Sequence, residues 1–291
     1  MPDRLIFGDN QFFGVNHMSE DKARAQAIRF QTDDAVLEVL EAANRNGIRS
    51  FMCTTHDRLG SIVPSVLQRP EAFPDQQFLP CMPYAHKYSN AMAEQGIIGS
   101  LQGFLPERGR IEALVRSGRS LASRDIAGVA TLLIDAEMRP FRNASTPVVF
   151  LQNVTVDLIL GLGAYEIFQV FADHVRTRYN AEPGFITMNV PRLLDALRMQ
   201  EIENPLVCAN VNKLGFRMSG GVEAYEEALR RADFRLIAMS IFASGAIPPA
   251  EAVRWVCGLP NIESIVFGAS SERNIVSTRD LVETYWRRQP V

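Results

Sequence analysis

Gly184-Phe185-Ile186-Thr187-Met188-Asn189-Val190-Pro191 puts two signals into one short stretch. The apolar run over 185–188 has the length and composition of a buried strand. Asn189 ends it, and Pro191 then opens a helix, because the N–H that proline lacks is one the first helical turn leaves unbonded anyway. Strand, polar end and helix follow one another as in a parallel βα unit.

The same unit recurs on both sides of this stretch. Downstream, strands are predicted over 207–211, 236–239 and 265–267. Upstream, they are predicted over 5–8, 48–53, 78–82 and 148–151. Thr32 is the expected N-cap of a helix carrying Val36, Val39, Leu40 and Ala43 at helical spacing and ending near Gly47. A polar stretch over 16–31 reads as a lid in the first βα loop. A long connection over 88–146 holds helix, most clearly around 126–138. Eight strand-and-helix units suit a closed barrel better than an open sheet, so the expectation is a single (β/α)8 TIM barrel spanning 1–291. No composition shift or linker divides the chain.

Composition excludes several partner classes. Net charge is −3, without the basic footprint that nucleic acid requires. No apolar stretch reaches the roughly 18 residues of a membrane span. With no signal-peptide plan either, a cytoplasmic location is expected. Cys53, Cys81, Cys208 and Cys257 form no CxxC pair, which favours reduced thiols over a disulfide framework and gives no metal-ligand spacing. Of 30 basic residues only Lys22, Lys87 and Lys213 are lysine.

Barrel active sites form where the strands end at their carboxyl side. The polar residues there are Asp9 and Asn10; Thr54, Thr55, His56, Asp57 and Arg58; His86 and Lys87; Gln152 and Asn153; Asn189; Asn210, Asn212 and Lys213; Ser240; and Ser270, Ser271 and Arg273. Lys87, Lys213, Asp57, His56, His86 and Asn153 form the candidate catalytic set. A lysine in a partly apolar mouth can act as base or Schiff-base nucleophile, and a His-Asp pair as acid and base. Strand ends also meet water and are polar for that reason alone. His174, within a helical stretch, reads as an exposed helix residue.

Several segments resemble the aldo/keto reductase family. Gly47-Ile48-Arg49-Ser50-Phe51 is similar to the lead-in to its second strand, and 184–189 to its fifth strand. Ile237-Ala238-Met239-Ser240-Ile241-Phe242 is similar to its seventh-strand segment, and Phe267-Gly268-Ala269-Ser270-Ser271 to its cofactor loop. The likeness runs through most of the chain in order. It implies an enzyme acting with NADPH or NADH on a carbonyl or hydroxyl group of a small polar, sugar-like molecule. By the same resemblance Asn189, Asn210, Ser240, Ser270, Ser271 and Arg273 would bind cofactor. Of the family's catalytic tetrad, Lys87 matches the lysine and Asn153 stands near the histidine's place. Met52 stands where the aspartate would be and Asp57 where the tyrosine would be. Tyr84 is a substitute donor. Lys213 occupies the place where the family stacks a tyrosine on the nicotinamide. Two other readings stay open: a cofactor-independent lyase or isomerase using Lys213 or Lys87, and a non-catalytic binding or scaffold protein.

Overall fold

A computed structural model describes residues 3–13, 20–84, 126–231 and 233–286. Its eight strands are β1 (Leu5–Gly8), β2 (Ser50–Thr54), β3 (Gln77–Met82), β4 (Val148–Leu151), β5 (Glu182–Thr187), β6 (Leu206–Asn210), β7 (Arg235–Met239) and β8 (Ile262–Phe267). Each pairs in parallel with the next in sequence, and β8 returns to β1, closing the barrel. The helices among the described residues are α1 (Glu20–Arg29), α2 (Asp33–Arg45), α3 (Leu59–Leu67), α4 (Ile126–Glu137), α5 (Asn153–Leu162), α6 (Glu166–Tyr179), α7 (Val190–Met199), α8 (Gly221–Leu229), α9 (Pro249–Val256) and α10 (Glu272–Trp286).

The strands read as unbroken apolar runs because both of their faces are buried. Ile6, Met52, Leu79, Cys81, Phe150, Ile186, Cys208, Ile237 and Val266 pack together inside the barrel. Their neighbours Phe7, Phe51, Phe78, Val149, Phe185, Val207, Leu236 and Ile265 belong to the larger cluster under the helices. Each such side chain contributes about 1.5–3 kcal/mol on burial. One pairing sets the filling of the barrel. Phe150 lies opposite Gly184, and a β-carbon on that glycine would sit 2.3 Å from the Phe150 ring. The ring occupies the space a side chain at 184 would need.

Strand ends differ from the sequence expectation by a few residues, each for a visible reason. β2 begins at Ser50 because the Ile48 N–H is spent on Ala43 O at 3.0 Å, finishing α2. β5 begins earlier, at Glu182, whose N–H reaches Pro147 O at 2.8 Å. β8 begins at Ile262, with an irregular register against β7 between Leu236 and Ile237. Thr32 caps α2 as expected, its hydroxyl accepting from Ala35 N–H at 3.4 Å. Within the predicted lid, Glu20–Arg29 is helical and largely exposed, while residues 16–19 lie outside the described residues. Of the predicted 88–146 connection, only 126 onward is described. All four cysteines are buried free thiols.

Candidate active site

The carboxyl ends of β1, β2 and β3 bring a compact group of polar side chains together. Asp9 leaves β1 almost fully buried. Its Oδ2 accepts from the Thr54 N–H at 2.6 Å and from the Thr54 hydroxyl at 2.7 Å. Burial pushes the Asp9 carboxyl above its ordinary pKa, and the bonds from Thr54 and its own backbone oppose that without reversing it. The next residue on the β2 side, Thr55, donates from its hydroxyl to Glu137 Oε2 at the end of α4. The same oxygen accepts from the Tyr84 N–H at 3.5 Å. Thr55 and Glu137 are both only 2% exposed, so one carboxylate clamps the β2 and β3 exits together.

His56 and Tyr84 stand on this clamp. The His56 ring stacks on Phe13 at 4.3 Å and lies 5.3 Å from the Tyr84 ring. Its Nδ1 accepts from the Arg58 N–H at 3.2 Å, which leaves Nε2 to carry the proton of the neutral ring. Arg58 is itself held by Asp33, through Nε at 2.9 Å and Nη2 at 2.7 Å, and by Phe30 O at 2.8 Å. Burial, then the fields of Asp9 and Asp57, push the Tyr84 phenol above its usual pKa, so it keeps its proton. Asp57 is exposed in the turn leading into α3. Met52, standing in the place of the family aspartate, is a buried residue of the barrel interior.

The other candidates divide. His86 and Lys87 lie outside the described residues. Lys213 turns outward: its Nζ is 2.8 Å from Glu251 on α9, and its side chain is 52% exposed beside a groove of about 360 Å³ lined by Arg254 and Trp255. This corrects the mouth-facing Schiff-base role, which needs a free amine next to substrate. The N-cap of α7 is Asn189, whose Oδ1 accepts from Arg192 N–H at 3.3 Å. Asn210 is buried and donates to Arg217 O at 3.2 Å, while Asn212 staples the same loop through Phe216. Asn153 opens α5, half-buried. Ser240, Ala243 and Ser244 have φ values of 54°, 46° and 58°, left-handed conformations that non-glycine residues adopt at a cost. Ser271 caps α10 through Asn274 N–H at 3.4 Å, Ser270 is half-buried, and Arg273 is exposed. His174 is not a solvated helix residue. Its Nε2 lies 2.7 Å from Asp135, which also accepts from the Tyr179 hydroxyl at 2.6 Å, joining α4 to α6.

Sequence reasoning missed Glu137. The available signal was its register: Ile134, Glu137, Met138 and Phe141 share one buried face, and a carboxylate on such a face requires a partner. Asp9 stood among the strand-end residues without being singled out.

No protein-family model matches the chain, and no curated protein does. Solved structures do. A putative aldo-keto reductase from Pseudomonas aeruginosa superposes with a TM-score of 0.60 at 13% identity, over 98% of this chain and 90% of its own. A putative 2,5-diketo-D-gluconic acid reductase B gives 0.55 at 12%, over 98% and 87%. A thermostable aldo-keto reductase in complex with the inhibitor epalrestat gives 0.55 at 11%, over 97% and 90%. At such identities the likeness is one of fold.

Proposed function

Taking an aldo/keto reductase-type barrel as the premise, we propose that this protein is a reductase-like enzyme of a small polar carbonyl or hydroxyl compound, working with NADPH or NADH. The observation that carries the reading is the buried group at the β1–β3 exits: Asp9 on Thr54, Glu137 under Thr55 and Tyr84, and His56 against Tyr84. In this reading Tyr84, which holds its proton, is the donor to a substrate oxygen, with the His56 ring 5.3 Å away as its neighbour. Glu137 holds the Thr55 hydroxyl and the Tyr84 backbone N–H beside them. The gathering of Asp9, Glu137, His56 and Tyr84 at the carboxyl ends of the strands, where barrel active sites form, favours a catalytic over a scaffold role.

In this reading the nicotinamide dinucleotide would lie between the start of α10 and Asn189. At the start of α10, the Ser270 hydroxyl and the exposed cation Arg273 suit a phosphate. By the same reading the Asn189 amide nitrogen would meet the carboxamide, while the Asn210 amide nitrogen is already spent on Arg217 O. When bound, the cofactor would supply or accept hydride; the protein's part is orientation, exclusion of water and the proton at Tyr84. The alternative lysine-based lyase retains only Lys87, because Lys213 is committed to Glu251.

Fluorescence titration with NADPH and NADH tests the reading. Saturable binding of one of them is expected. Arg273→Ala should weaken it by about 1.5–3 kcal/mol through loss of a charge-assisted phosphate contact. Failure of the unmodified protein to bind either cofactor would defeat the proposal.

A further inference from the structure

Two sides of α4 carry polar contacts, and they reach different parts of the molecule. On one side Asp135 meets α6, where its Oδ1 takes the Tyr179 hydroxyl at 2.6 Å and lies 2.7 Å from His174 Nε2. Two residues on, about 200° around the helix, Glu137 takes the Thr55 hydroxyl and the Tyr84 N–H at the β2 and β3 exits. A helix gripped on both sides takes its place from the side that is itself anchored. That side is α6. Among the described elements α4 packs most closely on α6, and no strand holds it as well. In turn α6 is keyed to the barrel wall, its Phe168 and Phe171 rings 5.7 and 5.8 Å from Phe185 on β5. Apolar contact between helices tolerates sliding and rotation, whereas two partners on one carboxylate oxygen restrict both. Tyr179 is a dependable donor there. Burial, and then its bond to Asp135, push the phenol above its usual pKa, so it keeps its proton.

We propose that Asp135, held by His174 and Tyr179, is a positioning residue for Glu137 and, through it, for the Tyr84 backbone. The path runs from β5 through α6, across Asp135 into α4, and out through Glu137 to the exits of β2 and β3. The wall at β5 thereby helps to align two strands with which it does not pair. His174 and Tyr179 act through other residues and not on a ligand. The consequence for proton donation rests on the function proposed above; the alignment of Tyr84 does not. The Asp135 side chain is 39% exposed, so water competes for part of this contact and its loss should loosen α4 without unfolding the barrel.

The test follows amide hydrogen exchange by NMR in Tyr179→Phe, His174→Leu and the double variant, with no ligand present. The Tyr84 amide should exchange about three- to tenfold faster when either donor is removed, the factor that one lost hydrogen bond implies. Amides of β6 and β7 should keep their protection, which separates a local release from general destabilisation. A second measurement uses denaturation. The factor by which Thr55→Val raises the unfolding constant should be at least about twofold smaller in the Tyr179→Phe background, because a Glu137 already out of place has less to lose. Unchanged Tyr84 exchange in the double variant, equal acceleration in all strands, or additive effects of Thr55→Val and Tyr179→Phe overturns the inference. The cofactor titration is scored separately. A protein that shows this coupling but binds no nicotinamide keeps the positioning of Tyr84 and loses the reductase reading, and the reverse result does the opposite.

Discussion

Replacing Thr55 by valine keeps the shape of the side chain and deletes one hydroxyl. That hydroxyl is the donor to Glu137, and both residues are nearly sealed from solvent, so water cannot take its place. A hydrogen bond contributes about 0.5–1.5 kcal/mol net, and removing the donor from a buried pair adds part of the acceptor's desolvation penalty, about 1–3 kcal/mol. We expect Thr55→Val to cost about 2 kcal/mol in urea denaturation, with an unchanged slope. Thr55→Ser, which keeps the hydroxyl, should cost only what a lost methyl group costs, about 1 kcal/mol. A cycle with Glu137→Gln isolates the contact, and a coupling on the order of 1 kcal/mol is expected. The reasoning fails if Thr55→Val lies within about 0.5 kcal/mol of the unmodified protein, the range of inert surface changes. It also fails if the two substitutions are additive. Because the clamp sets the Tyr84 backbone, the valine variant should in addition lose turnover before it loses ligand affinity.

Three further outcomes are expected. Lys213→Met should leave ligand binding intact and the melting temperature nearly so, since both partners of its ion pair lie in solvent; borohydride trapping of a substrate on Lys213 would contradict this placement. Asp9→Asn should flatten the pH dependence of stability. An acid whose folded pKa is raised binds more protons folded than unfolded, so the native protein loses stability as pH rises from the unfolded carboxylate value through the folded one. Denaturation midpoints of Asp9→Asn and the unmodified protein should separate over that window in favour of asparagine, and parallel curves would refute the assignment. Deleting residues 18–27 should impair ligand binding more than thermal stability, as expected of a lid whose helix is largely exposed; equal binding by the two proteins would exclude the lid.

The barrel was legible because parallel strands buried on both faces leave a strong local trace. Val148–Leu151 is unbroken in sequence and observed with the same bounds. Strand starts were less so, since charged residues such as Glu182 and Arg235 belong to the ladder through tertiary pairing with each other, which no local pattern announces. At the site, His56 and Asn210 could be found by position alone. The outward turn of Lys213 could not. Past the end of a strand, alternation no longer dictates direction, and the side chain follows Glu251, distant in sequence and near in space. Glu137 reaches the mouth from a helix after the long connection, so only the packing of α4 against the β2 and β3 exits places it there.

The Gly184–Phe150 pair shows one strand lending bulk to its neighbour. Neither partner carries a polar group, and neither is among the polar residues at the β1–β3 exits. Exchanging bulk between them, for instance with a small aliphatic residue at 150 and a larger one at 184, would keep the interior filled while altering which strand fills it. Such a barrel can change its interior by compensating pairs of steps across neighbouring strands, while the polar residues at its exits are inherited unchanged.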